Sequence, residues 1–453
     1  MSAFEKYPTG SFRQLVTLST PMMLAALSGN LMLFVDRLFL ANYSTAAMNG
    51  AAAAGLMMFT FAFPGMSIAV IAEVFVGQFN GSKKYDQISK AVWQMILFAL
   101  ALSVIFIPVS FFGGQFLMPD SLEKEAVPYF RWVMFFGWIS PLIAAISSFF
   151  IGRGVAKTVT ISAIAGNLTN FGLDYVLIFG VNGVIPAMGT EGAGIATAAS
   201  LIIQVSILVF VFLNKVNRKE FNTHKCVFEK ELFFKCFKVG GPSAIGHFVE
   251  ISAWSFLFHI TASVSIVHVT VNTMGQNILI LFSFMTDGMQ KGIISVASNI
   301  IGSSQWEKIK TLMLSAMKFM VLIACVLAVP IIGYPELLID LFEIDEAAQF
   351  MGNVIIHQTV IAFIFVWLYI LVDGMVWFTA GVLTAAGDTK YIMWVNSFGA
   401  WVFGVLPIYY FVTLKGGDAY LIWALVAFYG FMNLILMLAR YQWGNWRKLD
   451  LSK

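Results

Sequence analysis

Seven ionisable side chains, Asp36, Glu73, Asp174, Glu250, Asp287, Lys291 and Asp373, interrupt stretches that are otherwise apolar. A charge inside a membrane-crossing segment costs several kcal/mol and by default marks a functional site. Asn170 and Asp174 are four apart and share a helix face, as do Tyr369 and Asp373. Asn167 precedes Asn170, and His247 sits one turn before Glu250 on the same face. Two carboxylates brought together repel and burial disfavours their charge, so such a site welcomes a proton or small cation. Glu250, Asp373 and the Tyr369 phenol suit a hard monovalent cation held by oxygens, or a proton shared between acids. The competing reading is structural: each carboxylate hydrogen-bonds a neighbouring helix, and Arg37 pairs with Asp36.

The remaining groups read as packing. Asp287 and Lys291, four apart, are expected to pair on one helix face. Glu73 approaches the end of its apolar run and is expected to reach water. His259, His268 and His357 are scattered without metal spacing, and Cys226, Cys236 and Cys325 make neither a disulfide framework nor a zinc site. No cofactor is expected, and no metal beyond a possible Na+ site.

The elements that must position these groups follow from composition. The 453 residues are 59% hydrophobic and 11% charged, with mean hydropathy +0.83. Soluble domains carry about 25% charge, so a water-soluble enzyme is excluded and the chain reads as an integral membrane protein. The apolar runs are continuous rather than alternating, which favours helices over a barrel. At roughly 20 residues per crossing, about twelve spans are expected. They fall near 15–40, 48–78, 92–117, 128–151, 159–180 and 192–213, then 240–263, 273–301, 312–333, 351–384, 391–413 and 419–441.

Lys and Arg set the orientation. With the N-terminus in the cytoplasm, the cytoplasmic loops hold Lys83, Lys84, Lys90, Arg153, Lys157, Lys308, Lys310 and Lys390, and the central segment adds many more. The opposite loops hold only Lys124, Arg131 and Lys415. Both termini are therefore expected in the cytoplasm. Nothing resembles a signal or transit peptide, so a bacterial inner membrane is the expected location. A net charge of +3 is no signature for nucleic acid.

The basic stretch from Leu213 to Lys238 divides the spans six and six. The expected organisation is an N-terminal lobe (1–213), a cytoplasmic linker (214–238) and a C-terminal lobe (239–453). The lobes echo each other. Pro21 corresponds to Pro242 at an offset of 221 (242 − 21), and Gly81-Ser82 corresponds to Gly302-Ser303 at the same offset. With six spans each, the copies share one orientation and are related by a pseudo-two-fold axis along the membrane normal. A monomer suffices for such a pair of lobes. In this arrangement Asp36, Asn170, Asp174 and Thr197 fall at one depth in the outer half of the N-terminal lobe.

Absent motifs narrow the function. There is no G-x-x-x-x-G-K-[ST] loop for ATP, no filter-like loop or Arg-rich voltage sensor, and no hydrolase signature. A secondary transporter remains, driven by an ion gradient and not an enzyme. An ion channel is a rival. So is a flippase for lipid-linked oligosaccharides, which would want a cationic cavity.

Thr20-Pro21 with Phe34-Val35-Asp36, the run Gly166 to Asp174, and Gly192-Ala193-Gly194-Ile195-Ala196-Thr197 resemble the N-terminal lobe of MATE (multidrug and toxic compound extrusion) transporters. Gly240-Gly241-Pro242 with Glu250, and Asp373 with Gly387-Asp388-Thr389, resemble the C-terminal lobe of the NorM-like branch. The resemblance implies a cation-coupled antiporter that expels varied, often cationic, drugs through a cavity between the lobes. It implies an N-lobe cation or proton site at Asp36, Asn170, Asp174 and Thr197, and a C-lobe sodium site at Glu250, Tyr369 and Asp373. Asn167, His247 and Asp287 are further candidates for polar residues of the cavity. One departure is Met285-Thr286-Asp287-Gly288, where the first half has Phe63-Pro64-Gly65.

Overall fold

A chain this apolar satisfies its backbone in lipid by coiling. The computed structural model describes residues 3–118, 120–181, 183–340, 352–449 and 451. The expected start of the tenth span at residue 351 lies outside them. Among the described residues twelve long helical elements follow one another. The first six are α1 (Phe12–Tyr43), α2 (Thr45–Gly81), α3 (Tyr85–Phe112), α4 (Asp120–Gly152), α5 (Lys157–Phe179) and α6 (Thr190–Phe212). The second six are α7 (Lys230–Val264), α8 (Ile266–Gly302), α9 (Lys308–Gly333), α10 (Gly352–Ala385), α11 (Thr389–Leu414) and α12 (Tyr420–Trp443). Ten are long and apolar enough to cross a membrane. The other two, α5 and α7, have the length but carry Asn167, Asn170 and Asp174, or His247 and Glu250. The outside of the bundle is apolar, with Val104, Phe112, Phe210 and Val326 all strongly exposed.

Several elements are bent, and most bends have a local cause. α4 is interrupted at Trp138, where Pro141 has no N–H to return to the preceding turn. α11 widens into π-helix over Ala400–Val405 and Tyr409–Leu414, on either side of Pro407. α2 breaks at Val70–Ile71, where Glu73 and Val74 donate to carbonyls only three residues back.

The duplication shows in local geometry at both ends of α2 and α8, although the break in α2 has no counterpart in α8. Ser44 caps the start of α2 by accepting from Ala47 N, and Ser265 caps α8 by accepting from His268 N, 221 residues on. After α2 the chain turns through Lys83 at φ 59°, and after α8 through Ser304 at φ 59°. The halves meet by the same relation. A Cβ on Gly81 would strike the Asn299 carbonyl, and one on Gly302 would strike that of Gln78, its counterpart. The Gln78 amide donates to Ala385 O at 2.8 Å, and the Asn299 amide donates to Gly152 O at 2.8 Å. The axis passes between Gly77 of α2 and Ser298 of α8, which are themselves counterparts in contact.

This contact region forms a seam at the end of the bundle that carries the basic loops. Ser19 Oγ meets Met289 Sδ at 3.3 Å, Asn80 Nδ2 donates to Asn299 Oδ1 at 2.6 Å, and Ser295 Oγ donates to Ile151 O at 2.5 Å. None of these bonds lies at the opposite end. The first turns of α1 and α7 cross over: Leu15 and Leu18 pack in the core of the second half, while Cys236 and Val239 pack in that of the first.

The segment between the halves differs from a plain linker. Lys215–Phe221 is a short helix, and α7 begins at Lys230, so Lys230–Lys238 form its first turns. The Arg153 guanidinium lies 3.7 Å from the centre of the Phe221 ring and 4.5 Å from that of Phe149. Burial there pulls this guanidinium down to about 10 against the opposing charge of Glu220. Gln94 of α3 grips the following stretch, donating to Val227 O at 2.9 Å and accepting from Glu229 N at 3.1 Å.

Candidate functional site

Two groups of carboxylates sit within the bundle, one in each half: the first is buried, and the second is half-buried along a cavity wall. In the first half α1, α5 and α6 bring Asp36, Asn170, Asp174 and Thr197 into one region around Tyr129. Asp36, Asn170 and Asp174 are 6%, 1% and 0% exposed. Asp36 Oδ1, both Asp174 oxygens and Asn170 Nδ2 have no hydrogen-bond partner among the described residues. The Asp36 charge acts directly on Asp174 and on the hydroxyl of Tyr129. Buried polar groups are nearly always paired, so this constellation has free capacity for an added proton or cation.

The structural alternatives fail here. Arg37 is exposed and forms no close ion pair with Asp36, although its charge acts on that carboxylate. No neighbouring helix satisfies Asp174. Asn167 does act as a tie, its Nδ2 donating to Ser28 Oγ at 2.7 Å and fastening α5 to α1. Beyond the cluster, Phe39 packs on Phe171, Tyr175 and Phe179 with ring centroids 5.5–6.2 Å apart. Tyr129 of α4 was not legible from sequence. It reaches the cluster because Gly194 of α6 lets the α4 backbone close in, and its hydroxyl faces Thr197.

In the second half Glu250, Tyr369 and Asp373 line one cavity of about 210 Å³. Asp287 and Trp377 share its wall. Tyr369 is 2% exposed and is wedged among Trp254, Trp423 and Tyr429 with centroids 6.2–6.3 Å apart. Trp377 Nε1 donates to Asp373 Oδ2 at 3.0 Å. Tyr369, Asp373 and Trp377 recur every four residues on one face of α10, so the periodicity that found the first two also points to the third. His247 stacks on Trp377 at 5.8 Å, and Phe63 of the first half meets its ring edge-on at 5.4 Å. The cavity thus ends in an aromatic contact between the lobes.

Two expectations are corrected. Asp287 and Lys291 do not pair: the ion pairs among the described residues are Lys90–Glu229 and Arg440–Asp388. Asp287 faces the cavity instead, and the Lys291 charge acts on both Asp287 and Glu73 without a close pair to either. Glu73 does not reach water, being 1% exposed, because α8 of the other half covers the flank that α2 alone would leave open.

Comparison with known proteins agrees with this architecture. The MatE family model matches residues 21–176 and 242–410, one segment in each half. A probable multidrug resistance protein NorM of Pasteurella multocida is 22% identical over 403 residues, covering 87% of this chain and 84% of that one. The outward-facing conformation of a multidrug resistance MATE family transporter of the MOP superfamily superposes with a TM-score of 0.84 at 18% identity, covering 96% of this chain and 95% of that one. A MOP superfamily transporter from Pyrococcus furiosus, reported with reversed polarity of its binding pocket, superposes with a TM-score of 0.83 at 18% identity, covering 98% and 97%. A twelve-helix bundle in two pseudo-symmetric halves, matched by one family across both of them, leaves a single conclusion: the chain belongs to the MatE family.

Proposed function

We propose that this protein is a multidrug efflux transporter that exchanges cytoplasmic, often cationic, drugs for Na+ or H+ by alternating access. The observation that carries the reading is the pair of carboxylate groups within the bundle, one per lobe, with buried unpartnered oxygens in the first half and a cavity beside the half-buried acids of the second. A coupling ion must interact differently with two states of the protein. Acids whose surroundings change as the lobes rock supply that difference.

In this reading the basic end faces the cytoplasm, with both termini there, and the seam closes that side. Drug enters when the seam parts. Ion binding at Asp36, Asn170, Asp174 and Thr197, or at Glu250, Tyr369 and Asp373, favours the arrangement with the seam shut. The rings of Phe63, His247 and Trp377 offer aromatic contact, and Glu250, Asp287 and Asp373 offer charge to an organic cation. The acidic wall is unsuited to the pyrophosphate of a lipid-linked sugar. The test is dye efflux from proteoliposomes under sodium and proton gradients imposed singly. Export that follows neither gradient, or ion flux without counter-transport of drug, defeats the antiport reading.

A further inference from the structure

One buried acid belongs to neither carboxylate group. Glu73 lies in the first turn after the break in α2, enclosed where the two halves meet. Both of its carboxylate oxygens are buried without a hydrogen-bond partner among the described residues. The enclosure is tight. On α4, a Cβ added to Gly152 would lie 2.8 Å from the Glu73 carbonyl oxygen, and Gly240 of α7 packs against Ile68 and Ile71 beside the break.

The charged groups around it are few. α8 brings Lys291, from the other half, with Asp287 one turn nearer the cavity. α4 brings no charged group along Ile139–Gly152, and Arg153 beyond its end is occupied with Phe149 and Phe221. α7, whose Gly240 packs beside the break, has its nearest charge at Lys238, which is exposed. α3 has Asp86 and Lys90 in its first turns, the latter paired with Glu229 at 2.7 Å. Lys291 is the charge that acts on Glu73, yet it forms no ion pair with it in this arrangement. An ionised carboxylate so enclosed has nothing to replace its lost hydration.

Packing does not require these charges. At the offset of 221, the counterpart of Glu73 is Ile294 and that of Lys291 is Val70, so an apolar residue fills each equivalent place. The pair is an asymmetric addition to a symmetric seam. We propose that Glu73 is a proton-binding site of the seam, protonated while the basic end is shut and ionised beside Lys291 when that end opens. On opening, the carboxyl O–H bond breaks, the proton passes to entering water, and the carboxylate faces the Lys291 ammonium. On closing, the carboxylate must recover a proton before it is sealed in. The inference rests on the rocking motion of the proposed transport cycle, but it places proton binding at the seam, apart from both lobe sites.

The experiment uses the full chain in nanodiscs, with Cys226, Cys236 and Cys325 replaced. Spin labels go on D86C and E307C, exposed counterparts on either side of the seam. Raising the pH is expected to lengthen the label separation, because loss of the proton favours the open seam. Glu73→Gln should remove most of that change and hold the short distance, while Glu73→Asp should keep the response. An undiminished response in Glu73→Gln overturns the proposal, as does its equal loss in Glu73→Asp. Lys291→Met should move the midpoint of the distance change to higher pH, because the ionised open state loses its counter-charge; an unmoved midpoint also overturns the proposal. Because no drug is present, a failure of drug export with this response intact would count against the antiport reading alone.

Discussion

The Trp377 indole donates a 3.0 Å hydrogen bond to Asp373 Oδ2 while its ring lies almost parallel to that of His247, 14° away. One side chain therefore orients a carboxylate of the cavity and backs the His247 ring that meets Phe63 of the other lobe. Trp377→Phe keeps a ring against His247 but donates nothing. A hydrogen bond to a charged group contributes about 1.5–3 kcal/mol, and each 1.4 kcal/mol is about tenfold. Ion-driven dye efflux in liposomes is expected to fall at least roughly tenfold, and Asp373→Asn should fall as far or further. Equal activity of Trp377→Phe and the parent protein would remove Asp373 from the coupling site.

Asp36→Asn is expected to abolish drug resistance while leaving membrane expression intact. The amide is nearly isosteric, so the packing of α1 on α5 survives, but the site loses the charge that a cation or proton answers. Resistance assayed beside a membrane immunoblot separates the two effects. Normal export by this variant sinks the assignment of the first-half cluster.

Enlarging the seam should jam it. Gly77 has no room for a Cβ, which would come within 2.5 Å of the Ser298 Cβ, and overpacking of this kind typically costs about 1–3 kcal/mol. Gly77→Leu is expected to hold the basic end open and stop export. The check is accelerated labelling of a seam cysteine by a water-soluble thiol reagent added from that side. Unchanged labelling would mean that the seam does not open there.

The clamp on the inter-lobe segment separates two kinds of bond. Lys90 and Glu229 are 31% and 35% exposed, and such surface pairs contribute about 0–1 kcal/mol. Gln94 is fully buried and holds Val227 and Glu229 by their backbones. Lys90→Met should leave tryptic cleavage at Lys225 unchanged, whereas Gln94→Leu should speed it severalfold. Comparable rates in the two variants would show that the charge pair, not the amide, fastens the segment.

The spans and the duplication were legible in the chain because both are local. A run of about twenty apolar residues must cross, and Pro21 with Pro242, or Gly81 with Gly302, recur at a fixed distance. Asp36, Asp174, Glu250, Tyr369 and Asp373 were legible because charge and phenol stand out against lipid-facing residues. Tyr129 was hidden, since its place beside Thr197 depends on how closely α4 approaches α6 at Gly194. Glu73 was misread because its depth suggested water, and no feature of α2 announces that α8 will cover it. Lys291 could have bonded Asp287 by spacing alone, but its reach to Glu73 of the other half is set by the meeting of two lobes. The break at Val70–Ile71 has no proline to signal it, and nothing in the structure explains it.

The axis through Gly77 and Ser298 makes the seam an isologous interface, in which each patch is complementary to its own counterpart. Two identical six-helix halves could therefore assemble side by side as an unfused dimer through the glycine and amide contacts that Gly81, Gln78, Gly302 and Asn299 make now. What such a dimer could never possess is a single acid facing a single base across its dyad, since every charge would arrive twice. Two copies carried on one polypeptide are free of that constraint, and Glu73 and Lys291, opposite Ile294 and Val70 in the repeat, are where the two halves of this chain differ in charge at the seam.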